Sequence, residues 1–112
     1  MAKYKYICNP KNLIEGGKGF KFEVFLSGQK YSAFVIKYKG KFFSYINSCA
    51  HLHHELDLID GFFFDSTGDY LICSSHGALY EISSGVCVAG PCVGRKLVSL
   101  NILVKNVGIY WF

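Results

Sequence analysis

The sequence of 112 residues is short of several things at once: it has two prolines, one methionine, one tryptophan, and few charges for its many aromatics. No apolar run approaches the ~18–20 residues that a membrane-spanning helix needs. Met1-Ala2-Lys3-Tyr4-Lys5-Tyr6 has no long apolar segment, so it does not read as a secretory signal. Both absences point to a soluble protein of the cytoplasm. No stretch holds a helical period beyond two turns; only Leu52–Ile59 comes near it, without a clean cap. The cysteines number five, at 8, 49, 73, 87 and 92, and an odd count excludes a fully paired disulfide framework within one chain. That fits a reducing compartment.

Residues 42–94 contain neither Lys nor Arg. Six acids lie there (Glu55, Asp57, Asp60, Asp65, Asp69 and Glu81), giving −6, while residues 1–41 sum to +7 and residues 95–112 to +3. The net charge of +4 is therefore no guide to a nucleic-acid partner. The lysines of the N-terminal segment alternate with apolar residues, as on the solvent face of strands, and no nucleic-acid motif accompanies them.

What is present is apolar and aromatic: 51% of residues are hydrophobic, with ten Phe and eight Tyr. Such side chains supply the buried area a small β protein requires, and disorder is excluded. One domain is expected. Phe20, Phe22, Val24 and Leu26 alternate with Lys21, Glu23 and Phe25, a strand period. Strands are also expected at 4–8, 31–38, 41–46, 70–73, 79–82, 86–89, 97–104 and 108–112, and at 62–64 a short strand or at least an apolar anchor, with turns at Asn9-Pro10 and Asn12, at Ser27-Gly28-Gln29-Lys30 and at Lys39-Gly40. Gly16-Gly17-Lys18-Gly19 lacks the Ser/Thr and following helix of a phosphate loop and reads as a connection. The whole is an antiparallel, all-β chain. Trp111 and Cys8 read as core residues.

Two stretches carry chemistry: Cys49-Ala50-His51 and Cys73-Ser74-Ser75-His76. Each sets one thiol and one imidazole at the end of an expected strand. Thiolate and imidazole suit zinc, copper or iron–sulfur ligation. Zinc fingers commonly group their cysteines in one half-site and their histidines in the other. Here each loop supplies one of each, which suits a two-iron cluster with both cysteines on one iron and both histidines on the other. A zinc site in the same cage is the alternative.

Cys49-x-His51 and Cys73-x-x-His76-Gly77 resemble the ligand boxes of Rieske 2Fe-2S proteins, in which His replaces Cys on one iron. The resemblance extends over about residues 45–95, through Phe63-Phe64-Asp65, Leu71-Ile72-Cys73, His76-Gly77-Ala78-Leu79-Tyr80 and Gly90-Pro91-Cys92-x-Gly94. It implies one 2Fe-2S cluster per chain, held by Cys49 and Cys73 on the inner iron and by His51 and His76 on the outer one near the surface. It implies an antiparallel β-sandwich or barrel base, residues 1–44 and 95–112, carrying an inserted cluster-binding subdomain, residues 45–94, within a single domain. Gly90-Pro91 resembles the loop covering a third side of the cluster, and Gly77 would let the backbone pass close to it. Relatives in respiratory complexes pair an extra cysteine from each loop; here His54 and Ser75 stand at those places, so that bridge cannot form. The Ser that donates to the cluster in high-potential members is Ala78, while Tyr80 stands at the usual Tyr position and is placed to donate to a cysteine sulfur. His53 stands where many relatives have Gly.

The function so implied is a soluble ferredoxin-like one-electron carrier between a reductase and an oxidoreductase or oxygenase. It is not an enzyme by itself, since no nucleophile–base pair or second metal site is visible. Its partners are redox proteins, with no nucleic acid and no membrane. A redox or iron–sulfur sensor, or a small electron-transfer subunit of a larger oxidoreductase, is the alternative. His53 and His54 read as exposed loop residues, Cys87 and Cys92 as packed thiols rather than a redox-active disulfide, and the six acids as a solvated face or a docking patch. With the Ser donor missing and acids nearby, the potential is expected at the low end of the family range of about −150 to +300 mV. It should fall as pH rises above the oxidised-state pKa of the histidines; voltammetry across pH checks both, and a value well above about +100 mV contradicts the first.

Overall fold

The computed structural model describes residues 4–50, 54–57, 59–75 and 77–112. Among them nine strands form three antiparallel three-stranded sheets. Strands β2 (Phe20–Leu26), β3 (Gln29–Tyr38) and β4 (Lys41–Ile46) make a meander. Strand β1 (Lys5–Cys8) pairs with β9 (Gly108–Trp111), which pairs with β8 (Ile102–Lys105). Strands β5 (Tyr70–Ile72), β6 (Leu79–Glu81) and β7 (Cys87–Ala89) form the third sheet.

The first of the meander's two turns is tighter than the sequence suggests, and the second is as tight as expected. Ser27-Gly28 and Lys39-Gly40 are two-residue turns with positive φ at both positions, 51° and 79° in the first and 51° and 76° in the second. That handedness matches the twist of the flanking strands. It lets β3 begin at Gln29, two residues before the expected start. The Glu15 carboxylate accepts from the Lys39 and Gly40 amides and so anchors the second turn to the loop before β2.

Strand β3 is buried on both faces: Ala33, Phe34, Val35 and Ile36 are all at most 1% exposed. Because side chains alternate along a strand, successive residues enter different cores. Phe34 and Ile36 join Tyr45, Phe63, Leu71, Tyr80 and Leu97 on one side. Ala33 and Val35 join Ile7, Cys8, Val24, Ile46, Ile109 and Trp111 on the other. The first core lies against the β5–β6–β7 sheet, the second against β1–β9–β8. Phe34 stacks on Phe63 with ring centroids 3.9 Å apart and 12° between planes. The Tyr45 hydroxyl donates to the Ile82 carbonyl at 2.6 Å, a second tie between meander and third sheet. Burial, then the Glu81 charge, pushes that hydroxyl's pKa up to about 12, so it remains a donor at ordinary pH.

Several expected strands are shorter than the apolar pattern implies. The Phe62-Phe63-Phe64 stretch contributes one bridge, Phe64 to Leu71, and Phe63 is a core anchor. Residues 97–101 run beside β4 through a single Tyr45–Ser99 bridge before β8 starts at Ile102. Strand β7 starts at Cys87, since Val86 pairs only as an isolated bridge with Lys96. Residues 10–12 form one 3-10 turn where a plain turn was expected, with the Asn9 side chain accepting from the Lys11 amide. Leu52, His53 and Leu58 of the candidate helix lie outside the described residues; 54–57 and 59–61 show bends and turns.

Phe34→Ala removes an aromatic that stacks between the meander and the third sheet. It should cost about 3–5 kcal/mol in chemical denaturation, and Ser27→Asn in the first turn should cost nothing measurable.

Candidate metal centre

The first ligand loop leaves β4 at Ile46, whose N–H donates to the Val98 carbonyl at 2.8 Å. Asn47 follows, buried, and works in three directions. Its N–H donates to the Ser32 carbonyl at 2.8 Å, its Oδ1 accepts from the Leu56 amide at 2.8 Å, and its Nδ2 donates to Asp57 Oδ1 at 2.9 Å. The second Asp57 oxygen accepts from the Gly61 amide at 2.9 Å and from Lys21 Nζ at 3.0 Å. Lys21, from β2, also reaches Asp60 at 3.1 Å and Glu55 at 3.7 Å. Within the loop the Cys49 amide donates to the His54 carbonyl at 2.7 Å, which ties residue 49 to residue 54.

The second loop is closed in the same manner. The Cys73 amide donates to the Ala78 carbonyl at 2.9 Å, and the Gly77 amide to the Cys73 carbonyl at 2.8 Å. Gly77 has φ +72°, with no neighbouring described protein atom within 4 Å of where a Cβ would stand. Backbone conformation, rather than crowding by protein, is what glycine answers there. The Ser74 amide donates to the Leu56 carbonyl at 3.0 Å and joins the two loops directly. A third loop lies over the second: at Gly90, with φ +98°, a Cβ would come within 2.8 Å of Ala78 Cα, so only glycine allows the contact. The exposed Arg95 reaches back from that loop to donate from Nη1 to the Ala50 carbonyl at 3.4 Å.

Cys49 and Cys73 are both fully buried and belong to one core with Leu56, Phe63, Ala78, Tyr80 and Cys92. The Tyr80 hydroxyl lies 3.2 Å from Cys49 Sγ and accepts from the Ala50 amide at 3.0 Å. Burial, then the Cys49 and Cys92 thiols, pushes its pKa well above the usual phenol range, so it keeps a proton to donate. Two buried thiols on joined loops, one beside a fixed hydroxyl, are what thiolate ligation to iron requires: apolar shelter and a hydrogen-bond donor for the sulfur. His51, His76 and His53 lie outside the described residues. His54 and Ser75 are exposed, at the two places where bridged relatives carry cysteines.

A family model described as Rieske [2Fe-2S] domain matches residues 3–107. The chain belongs to this family. Its cofactor is accordingly a Rieske-type [2Fe-2S] cluster, an electron-transfer centre. Among solved structures, the ferredoxin of carbazole 1,9a-dioxygenase from Nocardioides aromaticivorans IC177 is similar with TM-score 0.73 and 17% identity, over 98% of this chain and 97% of that one. A ferredoxin–oxygenase complex of carbazole 1,9a-dioxygenase gives TM-score 0.73 and 20% identity, over 96% and 91%. The terminal oxygenase from the same Nocardioides strain gives TM-score 0.75 and 17% identity, over 97% of this chain but 29% of that one. No curated protein sequence matches the chain.

The Rieske centre draws on residues that sequence reading passed over. Asp57 reads in the sequence as one of six acids of a solvated face or a docking patch, yet its side chain is fully buried and paired. Asn47 and Lys21 carried no signal at all, because Lys21 is remote from the ligand boxes in sequence and meets them only through β2. Burial alone would raise the Asp57 pKa, but the Asn47 amide, the Gly61 N–H and the Lys21 ammonium outweigh it and hold the carboxyl below its ordinary value. Lys21 is moved upward: burial would lower it, and Asp57 and Asp60 prevail. The Asp57 contribution is thus present above the unfolded carboxyl value of about 3.9 and lost as pH falls through the lower folded value; that of Lys21 is present below about 10.4 and lost as pH rises through its higher folded value.

Asp57→Ala should cost about 3 kcal/mol at neutral pH, since it strips hydrogen bonds and a charge partner from a buried loop base. Denaturation over a pH series should show the gap to wild type closing as pH falls below about 4.

Proposed function

We propose that Cys49 and Cys73 bind one iron of the cluster and His51 and His76 the other. The chain then acts in the cytoplasm as a one-electron carrier, taking electrons from a reductase and delivering them to an oxygenase or another oxidoreductase. The observation that carries this reading is the buried pair Cys49 and Cys73 on two joined loops, with the Tyr80 hydroxyl 3.2 Å from the Cys49 sulfur, in a chain matching the Rieske domain over residues 3–107.

When bound, the cluster supplies a reversible one-electron couple. The protein's part is to shelter and orient. Leu56, Phe63 and Leu71 keep water from the cysteine side. The Asn47–Asp57–Lys21 network fixes the first loop, and Gly90 seats the third loop on the second. The division into a base, residues 1–44 and 95–112, and a cluster-binding part, residues 45–94, is supported by the third sheet lying wholly between residues 70 and 89. The partner classes rest on the similar ferredoxins, of which one is seen with its oxygenase. The cytoplasmic placement rests on the odd number of cysteines, which excludes a fully disulfide-paired chain, and on the absence, among described residues, of a helix long and apolar enough to cross a membrane.

An iron and sulfide count with an EPR spectrum of the reduced protein tests the ligand set. Two irons and two sulfides per chain are expected, His51→Cys should alter or abolish the spectrum, and His53→Ala should leave it nearly unchanged. Stoichiometric zinc in a colourless protein contradicts the reading. Reduction by a reductase that slows as salt rises would be the mark of a carrier.

A further inference from the structure

Cys87 and Cys92 are left over by the electron-transfer reading. Both are free and buried, 1% and 2% exposed, with sulfurs 3.2 Å apart. The Cys92 sulfur is also 3.3 Å from the Tyr80 hydroxyl, the group that faces Cys49. Four polar groups therefore form one buried row: Cys87, Cys92, Tyr80 and Cys49. We propose that Cys92 is a positioning residue, whose S–H donates to the Tyr80 oxygen and so commits the single Tyr80 proton to the Cys49 sulfur. The proposal rests on the ligand role given above to Cys49.

The argument is a count of donors and acceptors. A phenol has one proton and accepts through its oxygen. The Ala50 N–H occupies one acceptor position of Tyr80, and a peptide N–H can only donate. A metal-bound cysteine sulfur carries no proton and can only accept. The one remaining acceptor position of Tyr80 is filled if Cys92 donates, and no other described residue offers a donor to that oxygen. Were Tyr80 to donate to Cys92 instead, the charge-bearing sulfur of Cys49 would lose its donor to a neutral one, the weaker of the two bonds.

The Cys92 proton has a second acceptor in reach, the Cys87 sulfur at 3.2 Å, and the chemistry of the two acceptors makes that the poorer choice. Cys87 spends its own proton on the Ala89 carbonyl at 3.2 Å. It meets Cys92 only as a neutral sulfur, a weak acceptor. The Tyr80 oxygen becomes a better acceptor as its proton is drawn toward an anionic sulfur, because bonds in a row polarise one another. The row thus runs Cys92 S–H to Tyr80 O–H to Cys49 Sγ, and it strengthens when the sulfur gains electron density. A donor to a ligand sulfur favours the reduced state, so Cys92 acts on the potential without touching the ligand.

The test is the reduction potential of cluster-loaded variants. Cys92→Ala should lower the reduction equilibrium at least threefold, about 28 mV at 59 mV per tenfold for one electron. Cys92→Ser, which keeps a donor, should restore it. Cys87→Ala, which leaves the Cys92 proton to Tyr80 alone, should not lower it. In a Tyr80→Phe background the Cys92→Ala change should vanish; a shift that persists there comes from the cavity and overturns the proposal, as does no shift at all. If Cys92→Ala does not load, the wild-type protein decides. Its Cys92 S–H stretching band, assigned by loss in Cys92→Ser, should move to lower frequency on reduction, and a band that stays in place overturns the proposal. A wild-type protein without two irons and two sulfides overturns the ligand reading and the proposal with it, whereas a full cluster with an unmoved potential overturns the proposal alone.

Discussion

The two-sided burial of β3 is the constraint on which the rest of the molecule depends. Four successive residues, Ala33 to Ile36, are inside, and the strand's alternation sends them into two different cores. A register slip of one residue would exchange Phe34 and Ile36 for Ala33 and Val35, leaving the cluster side underfilled and the base side overfilled. The two tight turns that flank β3 remove that freedom. Everything on the cluster side is then referred to this strand, through the Phe34–Phe63 stack and through Tyr45, which neighbours Phe34 across the meander.

Polar ties locate the ligand loops on that frame. Loops seldom bury their own backbone groups, so each loop here borrows partners. The first takes Asn47, Asp57 and Lys21, the second takes the Leu56 carbonyl, and the third packs its Gly90 backbone on Ala78. The acids of residues 42–94 consequently divide. Asp57 is consumed inside by Lys21 and Asp65 largely by its own turn, where it accepts from Thr67, Gly68 and Tyr70. Glu55, Asp60, Asp69 and Glu81 stay at the surface. The charge map of the sequence therefore overstates the negative face by one carboxylate, the buried Asp57. The same segment keeps its sulfur atoms inside, where Tyr80 connects a cysteine proposed as a ligand to one that is not.

Much of this was legible in the residues. Phe20–Leu26 and the stretch to Ile46 announced a meander because half-buried strands alternate and their turns need residues that tolerate positive φ. The Cys/His boxes pointed to the cluster that the family match supports, because few residue types bind iron and their mixed arrangement is rare. Of the two readings of the Phe62-Phe63-Phe64 run, the apolar anchor holds and the strand does not, because apolar content signals burial, not pairing; only Phe63 goes inside fully, and the chain bends around it. Residues 97–101 misled for the same reason.

By itself the sequence determined the all-β class, the thiol and imidazole pattern, the lack of a loop-bridging cysteine pair and the presence of a tyrosine at the second box. These are properties of residue type and local spacing, and no folding is needed to read them. Tertiary structure alone decided which acid is buried, that Lys21 is its partner, and that Cys92 meets the hydroxyl facing Cys49. Those are contacts between strands and loops distant along the chain, set by how β3 divides its side chains between two cores. No local pattern encodes which charge or thiol will be carried inward when the sheets close.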